Sequence, residues 1–156
     1  MKRPAIIAIL FLAGFAWLGF GFSKTSISAT TLLNRLVMIN PASATRDQKI
    51  EITPDGFFRL RKKYVNGKQE YFSFHFSRFA DLDYYGNEAQ GNAQIIVADT
   101  NIIVQTFQDP KGNVDSMAST LRLDLKSPTA EDLSALSMLF KQLHTENLSA
   151  KRATDR

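Results

Sequence analysis

The sequence predicts an α+β domain carried behind an N-terminal transmembrane helix, with an antiparallel β-meander of five or six strands packed with one C-terminal α-helix. Three observations lead there. Residues 4–22 carry no charge. Residues 49–126 alternate apolar and polar side chains between clusters of turn formers. A helical apolar stripe then follows Ser127 and Pro128.

The first run reads PAIIAILFLAGFAWLGFGF, nineteen residues. At 1.5 Å per residue such a helix is about 28 Å long, close to the ~30 Å hydrocarbon thickness of a bilayer. Trp17 and the neighbouring phenylalanines suit an interfacial belt, and Ala13, Ala16 and Gly19 fall three apart, a spacing that lets a second helix approach. Lys2 and Arg3 precede the run and only Lys24 follows closely, so the positive-inside bias puts the N-terminus in the cytoplasm. The expected location is therefore the cell inner membrane, single-pass, with the following domain extracytoplasmic. A cleaved signal peptide is the competing reading, since Ser26-Ile27-Ser28 before Ala29 offers a small-x-small site. Cleavage would leave a secreted or periplasmic domain. The length of the run favours a retained anchor over residues 1–23.

Residues 24–48 read as a juxtamembrane segment. Residues 23–28 form a polar spacer, and residues 30–40 a short amphipathic helix through Leu32, Leu33, Leu36, Val37 and Ile39, stopped by Pro41. That helix suits the membrane surface, a partner, or its own domain. The string PASATRDQ is a linker.

The folded domain is expected over residues 49–147. Ile50 and Ile52 alternate with polar neighbours before the Pro54-Asp55-Gly56 turn. In the next strand Phe58, Leu60 and Tyr64 share one face, and Arg59, Arg61 and Lys63 the other. Beyond Asn66-Gly67, Phe72, Phe74 and Phe76 oppose Tyr71, Ser73, His75 and Ser77. Parity sets the register of this hairpin. A two-residue loop would oppose Phe58 to His75 and split the apolar faces, whereas a three-residue loop over 65–67, with Gly67 left-handed, pairs Phe58 with Phe74, Leu60 with Phe72 and Lys62 with Glu70. The bulged three-residue turn is predicted. Residues 79–91 read as the longest irregular stretch, residues 93–98 and 102–107 as a second hairpin, and 109–113 as a turn. One strand should then carry Met117, Leu121, Leu123 and Leu125 on a single face. Ser127 is the expected cap of the final helix, with Leu133, Leu136, Phe140 and Leu143 as its buried stripe and residues 148–156 a mobile basic tail. The order of strands and final helix resembles pleckstrin-homology-like domains in architecture alone, and no site is implied by that resemblance.

Composition narrows the chemistry. There is no cysteine, so thiol catalysis, disulfides and cysteine-metal sites are excluded. Of the 19 basic residues, Lys2, Arg3, Lys151, Arg152 and Arg156 lie at the ends, so the body is neutral and no nucleic-acid partner is expected. Asp81, Asp83 and Glu88 do not follow the calcium-loop spacing, and no metal or cofactor is expected. His75 lies beside Ser73 and Ser77, but neighbours two apart on a strand sit about 6–7 Å apart, too far for a nucleophile–base hydrogen bond. The chain reads as a non-enzyme. Its candidate contact residues are Arg59, Arg61 and Lys63, which project together from a hairpin over 59–68 that lacks acidic residues, and Tyr84 and Tyr85 in the irregular stretch. They suit a protein partner in a cell-envelope complex, with the domain as an accessory or scaffold subunit. The alternative is an anionic lipid or glycan on the basic hairpin.

Overall fold

A serine begins the first helix. Helix α1, Lys24–Leu36, opens on Ser23, whose hydroxyl accepts a hydrogen bond from the Ser26 N–H at 3.1 Å. The computed structural model describes residues 23–154, so the expected anchor over residues 1–23 lies outside the described residues except for Ser23 itself. Among the described residues no helix is long and apolar enough to cross a membrane.

The expected spacer over 23–28 is thus the cap and first turn of α1, and the helix stops at Leu36 instead of reaching residue 40. Its buried stripe is Thr25, Ser26, Ala29, Leu33 and Leu36. Small polar residues head that stripe, which is why apolar periodicity alone places the start too late. They let α1 lie close along the second helix, α2, which spans Ala130–Thr154. The Thr25 hydroxyl donates to Glu146 at 2.8 Å near one end, and Arg35 pairs with Asp132 near the other, so the two helices run antiparallel.

Among the described residues eight antiparallel strands form two sheets, where five or six in one meander are expected. The larger sheet is ordered β1-β2-β3-β6-β7, from Thr45–Ile52, Phe57–Tyr64, Gln69–His75, Ile102–Phe107 and Asp115–Ala118. The smaller is β4-β5-β8, from Phe79–Gly86, Gln90–Val97 and Thr120–Lys126. The first hairpins follow their turn chemistry. Phe58 opposes Phe74, Leu60 opposes Phe72 and Lys62 opposes Glu70. Gly67 closes the three-residue loop at φ 87°, and Tyr64 N–H bonds the Lys68 carbonyl at 2.9 Å.

Beyond His75 the chain leaves the predicted path. Residues 79–86 are a strand, because Leu82 and Tyr84 alternate with Asp81 and Asp83 and so supply one buried face despite the polar composition. The expected hairpin between 93–98 and 102–107 does not form. β5 pairs with β4 and β8, while β6 crosses to the other sheet and pairs with β3 and β7. The single strand expected to hold Met117 with Leu121, Leu123 and Leu125 is divided at Ser119 into β7 and β8, leaving Met117 on the wet side of the larger sheet. The connectivity is therefore not that of a bent meander. At the C-terminus the cap is Thr129 and not Ser127. The Thr129 hydroxyl accepts from Asp132 N–H at 3.1 Å, and Asp132 accepts in turn from Thr129 N–H at 3.2 Å. The helix runs on to Thr154, past the point where apolar periodicity fades.

Both helices and both sheets close on one core. Phe140 of α2 lies 6.5 Å from Phe58 of β2, 5.1 Å from Phe76 and 5.5 Å from Phe79 of β4, ring centroid to centroid. Leu136 and Leu143 flank it, and Ile95, Leu121, Leu123 and Leu125 approach from the smaller sheet. Val37, just past α1, forms a bridge with Leu125, and Met38 N–H bonds the Asp124 carbonyl at 2.9 Å, covering part of the open edge of β8.

Two turn glycines carry different constraints. Gly67 has φ +87°, and a Cβ placed there would meet no atom nearer than Gln108 Oε1 at 4.0 Å, so only backbone conformation resists a side chain. Gly56, at φ +83°, lies directly under the Asn147 side-chain amide, which donates to the Leu143 carbonyl at 2.8 Å. Gly67→Ala is expected to cost about 1–2 kcal/mol. Gly56→Ala is expected to cost more, and adding Asn147→Ala should bring the two glycine substitutions level. Urea denaturation of the four variants measures this; equal costs in both backgrounds would show that α2 does not bear on the turn.

Candidate functional site

An antiparallel sheet needs only one face covered. The inner face of the larger sheet carries Ile50, Ile52, Phe58, Leu60, Phe74 and Ile102 into the core. Its outer face is bare among the described residues except where the C-terminal end of α2 overhangs one end of it, and the strand register fixes what stands on it. One row across the sheet holds Asp47, Lys63, Gln69 and Phe107. The next holds Lys49, Arg61, Tyr71, Gln105 and Asp115. A third holds Glu51, Arg59, Ser73, Ile103 and Met117. The face is basic at the β1–β2 side and apolar toward β6 and β7.

Arg59, Arg61 and Lys63 therefore project together, as their alternation requires. Pairing with β1 adds Lys49 to their face and sets Glu51 and Asp47 opposite Arg59 and Lys63. Among the described residues none of the three cations makes an ion pair. The Arg59 guanidinium stands 5.8 Å from the Phe57 ring centroid. The other two basic residues of the hairpin point to the opposite face. Lys62 lies over Phe72, and Lys68 is held between Asp109 at 2.9 Å and Glu70 at 3.0 Å, whose carboxylates, Asp109 first, raise its pKa.

The apolar side of the face is what sequence reasoning missed. Tyr71 and Phe107 meet edge to face at 5.1 Å. Ile103, Phe107 and Met117 are 41%, 42% and 53% exposed, more apolar surface than a solvated strand face needs. Alternation along residues 102–107 signals one outward set, but only the β3–β6 pairing places that set beside the cations.

Tyr84 and Tyr85 belong to the smaller sheet, apart from this face. They point to opposite sides. Tyr84 packs against the core cluster and over Gly91, and its hydroxyl donates to the Asn87 carbonyl at 2.6 Å. Tyr85 is 59% exposed opposite Asn92.

Ser77 stands much nearer His75 than strand spacing allows. β3 ends at His75, and a one-turn 3-10 helix at Phe76–Arg78 brings the Ser77 hydroxyl to 2.8 Å from His75 Nδ1. Nδ1 also accepts the Ser77 N–H at 3.2 Å, so Nε2 carries the proton and donates to the Asp55 carbonyl at 2.9 Å. Both ring nitrogens are committed to backbone or turn. His144 is likewise structural in its contacts: Nδ1 donates to the Phe76 carbonyl at 2.8 Å, tying α2 to that turn. No group of three or more His, Asp or Glu side chains able to hold a metal occurs among the described residues.

No protein-family model, curated protein or solved structure matches this chain.

At the hairpin end of the sheet, burial first, and then the hydrogen bond to the Glu70 carboxylate at 2.6 Å, push the Tyr64 phenol up to about 12. Unfolded tyrosine ionises near pH 10. A raised folded value means that Tyr64 supports the fold fully below pH 10 and loses that contribution as pH rises toward 12. Ultraviolet titration should show one of the four tyrosines ionising last. Glu70→Gln should bring it down toward the others, and a late phase unchanged by Glu70→Gln would refute the assignment.

Proposed function

We propose that the protein is a non-catalytic, single-pass membrane accessory or scaffold subunit whose extracytoplasmic domain binds a protein partner of the cell envelope. The bare outer face of the larger sheet carries this reading. It sets cations that make no ion pair among the described residues beside exposed apolar side chains, the mixture that gives a protein interface both an apolar centre and a charged rim. The N-terminal run supports the anchor, with its basic start and its bilayer-matched length. Since Ser23 caps α1, the domain begins at the end of that run without an intervening spacer. The neutral body argues against nucleic acid. Retention at the inner membrane is preferred to release after cleavage because α1, which holds Ser26, Ile27 and Ser28, buries Ser26 and would lose its cap and first turn on cleavage before Ala29.

The second reading, an anionic lipid or glycan held by the basic hairpin, draws on Arg59, Arg61 and Lys63, which make no ion pair among the described residues. It makes less use of Tyr71, Ile103 and Phe107, which a glycan or headgroup alone would leave wet.

Crosslinking in native membranes followed by mild-detergent purification should recover a stoichiometric envelope protein. Reversing Arg59, Arg61 and Lys63 to Glu should weaken that recovery by at least about tenfold while the chain still pellets with inner membranes. Recovery of a lone monomer would overturn the accessory reading. Loss of retention on anionic vesicles in the same variant, with partner recovery intact, would favour the lipid. Full-length chain found free in the cytosol would overturn the anchor.

A further inference from the structure

The lower end of the same outer face is not flat. Helix α2 continues past its core stripe, and Asn147, Ala150, Lys151 and Thr154 fall at successive turns on one side of it. That side forms the wall of a groove of about 600 Å3 over the sheet. The floor is apolar: Ile103 and Met117 are cross-strand partners, and Phe57 packs edge-on to His75 at 4.9 Å. The rim is basic. Arg78, from the 3-10 turn, and Lys151 both line the groove, are exposed, and make no ion pair among the described residues. Among the described residues Asp55 is the one carboxylate in the lining, and the Thr53 hydroxyl is the leading cause that holds its pKa low. His75 offers no donor to a ligand, since its Nε2–H is taken by the Asp55 carbonyl.

We propose that this groove binds a single-chain amphipathic anion, its phosphate or carboxylate head between Arg78 and Lys151 and its alkyl chain along Phe57, Ile103 and Met117. Among the described residues, two cations against one carboxylate select an anion. The size falls within the range of small-molecule sites, and the uncovered apolar floor gains by exchanging water for methylene groups. These residues are not those of the hairpin over 59–68, and the proposal stands whether or not residues 4–22 span a bilayer.

Alkyl phosphates of increasing length test it by calorimetry on the full-length chain in phosphatidylcholine nanodiscs, or in plain buffer if the chain does not reconstitute. Octyl phosphate is expected to bind at least about tenfold more tightly than butyl phosphate, and inorganic phosphate most weakly. Reversing both Arg78 and Lys151 to Glu should weaken octyl phosphate at least about tenfold. Met117→Asp, at an exposed position that leaves the core intact, should flatten the dependence on chain length. Equal affinity for all three phosphates, or an affinity unmoved by the charge reversal, would overturn the proposal. Nanodiscs containing phosphatidylglycerol separate the sources of the ligand: competition with octyl phosphate assigns the head to a bilayer lipid, and no competition assigns it to a free amphiphile, each within the proposed site.

Discussion

Phe140 is the contact on which the architecture depends. Its ring meets Phe58 from the larger sheet, Phe76 from the 3-10 turn and Phe79 at the start of the smaller sheet. A β-sheet with one buried face needs a cover, and here one helix covers two sheets at the point where the chain passes between them. Full burial of a phenylalanine is worth about 1.5–3 kcal/mol from water exclusion alone, and edge-to-face geometry adds roughly 0.5–1.5 kcal/mol per pair. Removing it would leave a cavity shared by three elements, so no single one could relax to fill it. His144, one turn further along α2, reinforces the same junction through the Phe76 carbonyl.

Covering the inner face in this way decides where function can reside. Helix α1 lies against α2, and α2 lies against the junction as far as its core stripe reaches, so most of the outer face of the larger sheet is left unscreened. That face holds residues that packing does not explain. Among the described residues, cations stand along β2 without carboxylate partners, and apolar side chains stand along β6 and β7 without a cover. Only the overhang of α2 past Asn147 comes back over part of the face, and it turns that part into a groove. A helix that ended with its apolar stripe would have left no wall there.

Charge is sorted by strand parity as much as by composition. The hairpin over 59–68 is uniformly basic, yet it delivers its cations to two faces with different fates. On the inner face Lys68 is neutralised by Glu70 and Asp109, and Lys62 lies along an aromatic ring. On the outer face Arg59 is exposed and Arg61 and Lys63 are half-buried, and none of the three makes an ion pair among the described residues. Rim charges of this kind steer encounter and fix register more than they add affinity. In the proposed interface the exposed apolar row beside them is the better source of binding energy.

The local features were legible in the sequence. Alternation placed Arg59, Arg61 and Lys63 on one face, the parity of Asn66-Gly67 specified the bulged turn, and the stripe through Leu136, Phe140 and Leu143 marked the core side of α2. Each depends on neighbours within a few residues, where periodicity and turn chemistry act. What the tertiary structure alone decided is which distant strand each strand joins. Turn chemistry after Val97 favoured a hairpin with residues 102–107, but burying Ile102 and Val104 against Phe74 and Phe72 required β6 to cross to β3. The same crossing carried Phe107, Ile103 and Met117 to the side of the cations and so assembled the candidate face. Alternation says that one side of a strand must be buried, and it is silent on the partner, because a period of two looks alike in every sheet that could receive it.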